Sequence, residues 1–196
     1  MGFRETRPRI GKTRTGCCMA GRADIKKARV LLVCGRAHAV QVLRTTFGML
    51  NLKSVVVMPT AASALEALRG HPFTAVFCDS AIEDVDGVPF ALAARRLPGI
   101  LNPMIPIFTL ASFPSRADVE RARDQGVTDV LAQPVSAAII VRKLRTALAH
   151  PRPFIAAPDF FGPDRRTRAS KTYFDADRRS RQPKKIVYPA PNSPAR

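Results

Sequence analysis

Acidic side chains are scarce in this chain: 15 Asp and Glu stand against 32 Lys and Arg, a formal net charge of +17. The imbalance is not uniform. Residues 1–28 carry +6 and residues 151–196 carry +7, leaving +4 for everything between them. Both flanks lack periodic apolar spacing, and the second holds 8 of the 17 prolines. Such composition cannot bury enough apolar surface to offset chain entropy. Residues 1–28 and 151–196 are therefore expected to be disordered basic tails around one domain at 29–150. That domain is expected to fold without its flanks. A start at Met19 in place of Met1 would remove much of the first tail.

Other absences narrow the function. No apolar run approaches the ~18–20 residues of a membrane helix, and no signal-type apolar segment follows the start. No glycine-rich phosphate loop, Ser-His-Asp constellation or C-x₂₋₄-C zinc spacing is present. Cys17 and Cys18 are adjacent, while Cys34 and Cys78 each end an apolar strand, so the thiols are read as reduced. No helix-turn-helix pattern follows residue 150. An enzyme, a membrane span and a standard DNA-binding output domain are not expected, and the expected location is cytoplasmic.

Between 29 and 150, strand and helix signals alternate. Val30-Leu31-Leu32-Val33 is a continuous apolar run, as in a strand covered on both faces. Val40, Leu43, Phe47 and Leu50 recur at helical spacing. Val55 to Met58 is a β-branched run, and Thr60 can cap a helix from Ala61 to Arg69. Phe73 to Cys78 reads as a strand ending at Asp79, Val88 to Arg96 as a helix, and Ile105 to Leu110 as a strand. Ser115 and Ser136 can cap two further helices around a short strand at Asp129 to Ala132. Five strands alternating with five helices imply right-handed crossovers and a parallel sheet. The flavodoxin-like order 2-1-3-4-5, with helices on both faces, is the common solution at this size. It brings Cys34, Asp79, Ala111 and Gln133 to one crevice.

Three segments carry a likeness to a known family. They are Asp79 followed by Asp86-Gly87, Pro106 to Ser112, and Gly126 to Gln133-Pro134. With the first strand they make residues 28–150 resemble the receiver domain of bacterial two-component response regulators. The resemblance implies that Asp79 stands at the phospho-acceptor position and that the Gln133–Pro134 bond is cis. It also shows what is missing. Active members place two acids after the first strand to hold Mg²⁺; here those positions are Cys34 and Gly35. The Ser or Thr ending the fourth strand is Ala111, with Ser112 one residue late. The Lys after the fifth strand is Gln133, and the switch aromatic is Val130. The chain therefore resembles a degenerate receiver that kept the fold and lost the chemistry.

Arg36 and His38 lie just past the first strand and could place positive charge near Asp79. A solvated Asp79, or one paired with Arg36, is the plain expectation. A soft-metal site of Cys34, His38 and Asp79, or a cluster of Glu83, Asp84 and Asp86, is the less ordinary one. No metal or cofactor is expected, with Mg²⁺ required only if Asp79 is phosphorylated.

The second flank holds a short repeat. Phe160-Phe161-Gly162-Pro163-Asp164-Arg165-Arg166 returns as Tyr173-Phe174-Asp175-Ala176-Asp177-Arg178-Arg179. It reads as a solvated basic tail or as two linear binding elements, aromatics anchoring and arginines pairing with anions. Three functions stay open. The first is a stand-alone receiver-like signalling protein acting by phosphorylation-independent protein contact. Its partner would be a histidine kinase or other two-component protein, docked on the side of the fourth helix, fifth strand and fifth helix. The second is a conventional response regulator phosphorylated on Asp79. The third is a nucleic-acid-associated protein, binding weakly through its tails.

Overall fold

A computed structural model of the chain describes residues 25–52, 54–82, 84–157, 160–164 and 184–186. Strands β1 (Arg29–Val33), β2 (Ser54–Met58), β3 (Ala75–Asp79), β4 (Ile107–Ser112) and β5 (Asp129–Gln133) alternate with five helices. These are α1 (Ala37–Met49), α2 (Ala61–Gly70), α3 (Phe90–Arg96), α4 (Arg116–Asp124) and α5 (Ala137–Ala149). The strands form one parallel sheet in the order β2-β1-β3-β4-β5, as the alternation implies.

The apolar runs bury on two faces because successive strand residues point to opposite sides. Leu31, Val33 and Val76 pack under α2 and α3. Val30, Leu32, Phe77 and Phe108 pack under α1 and α5. Phe77 sits between Phe47 and Phe108, with ring centroids at 5.2 and 4.9 Å. Thr60 and Ser115 cap α2 and α4, each accepting from the backbone amide three residues on, and each helix closes a capping box. Helix α3 starts at Phe90, two residues later than its apolar pattern suggests. Val88 is taken by a backbone bridge to Val85 instead, and Pro89 occupies the N-cap.

The flanks depart from the expectation at both junctions. A short 3-10 turn at Ile25–Lys27 puts Ile25 and Ala28 into the core, so the domain begins before residue 29. After α5, residues assigned to a disordered tail form β6 (Phe154–Ala157), β7 (Phe160–Pro163) and β8 (Lys184–Ile186). These make a small antiparallel sheet in the order β7-β6-β8.

The β6–β7 hairpin is fitted to the domain. Phe154 is buried and packs on Phe161 at 5.5 Å between ring centroids. Gly126, which ends α4 at φ +86°, and Gly162 of β7 meet backbone to backbone. A Cβ on Gly162 would lie 2.9 Å from the Gly126 Cα, and one on Gly126 would lie 3.1 Å from the Phe161 carbonyl oxygen. Only glycine allows that approach.

Arg95 of α3 completes the seam. Its Nε and Nη2 donate to the Gly126 carbonyl, both at 3.1 Å, and its Nη1 donates to the carbonyls of Pro103 and Ile105 at 2.6 and 2.7 Å. The guanidinium lies 5.0 Å from the centre of the Phe154 ring. Burial lowers its pKa to about 9, which leaves it a cation at neutral pH. A chain cut to 28–150 loses Ile25 and Phe154 and should melt well below one cut to 25–164. Burying two such side chains stabilises by about 3–6 kcal/mol. Equal melting temperatures would show that the hairpin is a passenger.

Candidate functional site

The C-terminal ends of β1, β3, β4 and β5 surround Asp79. In the sheet register Val33 lies beside Cys78, Asp79 beside Leu110, and Ser112 beside Gln133. Asp79 is the last residue of β3 and is 3% exposed. A carboxylate so far from water needs partners, and both oxygens have them. Oδ1 accepts from the Ala81 amide at 3.1 Å. Oδ2 accepts from Arg36 Nε at 2.9 Å and Nη2 at 2.6 Å, and from the Cys34 thiol at 3.3 Å.

Arg36 occupies the N-cap position of α1 and caps nothing with its side chain. The side chain turns instead across the strand ends to Asp79, and remains about half exposed (53%). Hydrogen bonding to Asp79 raises the Arg36 pKa, so the guanidinium is charged throughout the physiological range. Of the two expectations for Asp79, a solvated acid or one paired with Arg36, the fold produces the second and buries the acid away from water. His38 takes no part in it: it is exposed on α1. Among the described residues no group of three His, Cys, Asp or Glu side chains is placed to hold a metal ion. Asp84 and Asp86 line the same cleft of about 500 Å³ as Asp79 and Arg36, while Glu83 lies outside the described residues.

These residues do not fit Mg²⁺. A hard cation seeks anionic oxygens, and here the one buried carboxylate is held by a guanidinium and a thiol. Nor could an acid stand at position 35 without movement. A Cβ on Gly35 would come within 3.0 Å of the Pro59 carbonyl oxygen. Ala111 lines the cleft on the α4 side of Asp79 and offers only a methyl group. Neither Ser112 nor Gln133 hydrogen-bonds to Asp79 among the described residues. Val130 lines that cleft of about 490 Å³, between the sheet and α4.

Both thiols beside the acid are buried, which disfavours their thiolates. Burial, reinforced by the neighbouring carboxylate, raises the Cys34 pKa, and burial pushes Cys78 up to about 12. The thiolate is the nucleophile. Peptide mapping after iodoacetamide treatment near pH 8 should therefore find Cys34 and Cys78 unmodified in the folded chain and modified in urea. Ready alkylation of Cys34 in the folded chain would contradict the Asp79 contact.

With this geometry in place, solved structures supply the comparison. The receiver domain of a sensor histidine kinase from Pseudomonas aeruginosa has a TM-score of 0.53 and 21% identity, covering 60% of this chain and 94% of that one. The chemotaxis response regulator CheY4 of Vibrio cholerae has a TM-score of 0.54 and 21% identity, covering 62% of this chain and 98% of that one. The fold is that of response-regulator receiver domains. A response regulator from Desulfuromonas acetoxidans is similar as well, with a TM-score of 0.53 at 18% identity over 62% of this chain and 96% of that one. No family model and no curated protein matches the sequence. The Pseudomonas domain was solved with a magnesium ion coordinated in its active-site cleft. The Gln133–Pro134 bond is cis, as the receiver resemblance implied.

The tail elements fare differently. Phe160 and Phe161 lie in β7, where Phe161 packs on Phe154 with the rings tilted, so they serve the hairpin. Arg165, Arg166, Tyr173, Phe174, Arg178 and Arg179 lie outside the described residues. The sequence reading missed Arg95. Its signal was faint: a charge at the end of the apolar run Phe90 to Ala94, at a position the helix turns inward.

Proposed function

We propose that this chain is a receiver-type signalling protein that acts by protein contact without phosphorylation of Asp79. The observation that carries the reading is the Arg36 guanidinium bound twice to the carboxylate oxygen that an acceptor would have to free. Phosphoryl transfer to a carboxylate depends on cations placed around the transferring oxygens. Here the cation is spent on the nucleophile itself. No hydroxyl stands at position 111, and no positive charge stands at position 133.

A second feature supports contact with a protein. Phe113, just after β4 and three residues before α4, is 93% exposed and holds a backbone φ of +53°. A bulky side chain in that region is disfavoured by about 1–2 kcal/mol, and an exposed aromatic is a common anchor at interfaces. It leads into the side formed by α4, β5 and α5, the proposed docking face. The partner is another two-component protein, such as a histidine kinase. The basic tails add affinity for anionic surfaces.

Intact mass after incubation with acetyl phosphate and Mg²⁺ tests the proposal. The expected spectrum shows no gain of phosphate. A Mg²⁺-dependent gain of one phosphate that vanishes in Asp79→Asn would make the chain a conventional response regulator.

A further inference from the structure

At the opposite end of the sheet from Asp79, where β3, β4 and β5 begin, lies a pocket of about 350 Å³. It is bounded by α5 on one side and the β6–β7 hairpin on the other. Its volume falls in the range of small-molecule sites, which are mostly apolar with a few placed polar groups. Its apolar lining includes Phe73, Met104, Phe108, Leu148 and Phe154.

The polar groups in the wall are already engaged. Thr74 Oγ1 accepts from the Arg29 amide and Thr128 Oγ1 from the Ile107 amide, both at 3.0 Å. Thr146 Oγ1 donates to the Arg142 carbonyl at 2.8 Å, and Asn102 Oδ1 accepts from the Met104 amide at 3.0 Å. Asp129, the one acid in the lining, is paired with Lys143. What enters this space therefore meets mainly apolar surface.

The mouth is the reverse. Arg142, His150 and Arg152 line it, and all three are exposed. Among the described residues no carboxylate pairs with any of them. Among the described residues the lining thus carries two guanidinium charges with no carboxylate partner, beside an apolar chamber.

We propose that this pocket binds a small amphipathic anion, its apolar body among the phenylalanines and its carboxylate or phosphate at Arg142 and Arg152. The site is independent of the acceptor crevice. It exists because the hairpin supplies a wall, through Phe154 and Pro163, that the five-stranded domain lacks.

Titration calorimetry on the full chain tests this, with octanoate and octyl phosphate as the anions and octanol as the neutral match. One or both anions should bind saturably, and octanol at least about tenfold more weakly, since the head group makes charge-assisted contacts. Joint replacement Arg142→Ala and Arg152→Ala should weaken anion binding by about tenfold. Both side chains are exposed, so folding should be unaffected. Ala147→Phe, which fills the chamber and leaves the basic tails intact, should abolish binding. Absence of binding by both anions up to about 1 mM would overturn the proposal. So would binding that survives the two arginine replacements, or octanol binding as tightly as octanoate. If Ala147→Phe does not fold, the arginine pair and the octanol comparison decide the matter.

Discussion

Replacing Arg95 with Met should destabilise the fold by about 3–5 kcal/mol, among the larger effects of a single change. The guanidinium serves three backbone carbonyls, those of Gly126, Pro103 and Ile105, in a buried place where it pairs with no carboxylate among the described residues. Met fills much of the volume and satisfies none of them. A buried acceptor left without a donor costs about 1–3 kcal/mol, partly offset by removal of a buried charge. Arg95→Lys should not rescue, because one ammonium cannot fork toward Gly126 and Pro103 together. Urea unfolding would show the midpoint falling with an unchanged slope. The hairpin should also become open to limited proteolysis near Phe154, since its cation–π contact is gone. A midpoint within error of the parent would mean that Arg95 is a passenger at the seam.

The second large effect is a gain. Converting Gln133 to Lys and Ala111 to Thr should give no phosphate uptake, because Arg36 still holds Asp79 and no acid stands beside it. Adding Cys34→Asp, Gly35→Asp and Arg36→Ala should produce a one-phosphate species that Asp79→Asn removes. Intact mass after treatment with acetyl phosphate and Mg²⁺ reads the result. The Gly35 change carries its own obstacle, the Pro59 carbonyl at 3.0 Å from a Cβ. The β2–α2 loop must give by a few tenths of an ångström, so the rebuilt site should load more slowly than an ordinary receiver. Phosphate on the two-site variant would show that the ion pair was never the obstacle.

Much of the fold was legible because its elements are locally consistent. Val30 to Val33 is apolar without interruption since both faces of β1 are covered, and Thr60 and Ser115 announce their helices with capping side chains. Strand order likewise places Cys34, Asp79, Ala111 and Gln133 at one end of the sheet, but Gln133 lines neither cleft beside Asp79. The hairpin was not legible. Phe154, Ile155, Phe160 and Phe161 are few, and they sit in a segment whose composition is ruled by proline and arginine. What makes them fold is not their own pattern but the Gly126–Gly162 contact and the Arg95 side chain. Both are long-range complementarities that no sequence window contains. The Arg36 pairing lay between these cases. The residue was visible two positions past β1, but its choice of Asp79 over water depends on how deeply the fold buries that acid.

The Asp79–Arg36 pair also changes what kind of variable the crevice can report. An ordinary bound cation is drawn from solution, so occupancy follows its concentration and a chelator can empty the site. Arg36 is on the same chain, and an intramolecular partner acts at an effective concentration on the order of millimolar or above. Dilution, chelation and metal supply leave it in place. On the reading proposed here, nothing dissolved in the cell sets the charge state of this crevice; it is fixed once the chain has folded. A cell could then tune such a protein's influence through the number of copies it holds, with synthesis and degradation in the role that kinase and phosphatase play for a switchable receiver.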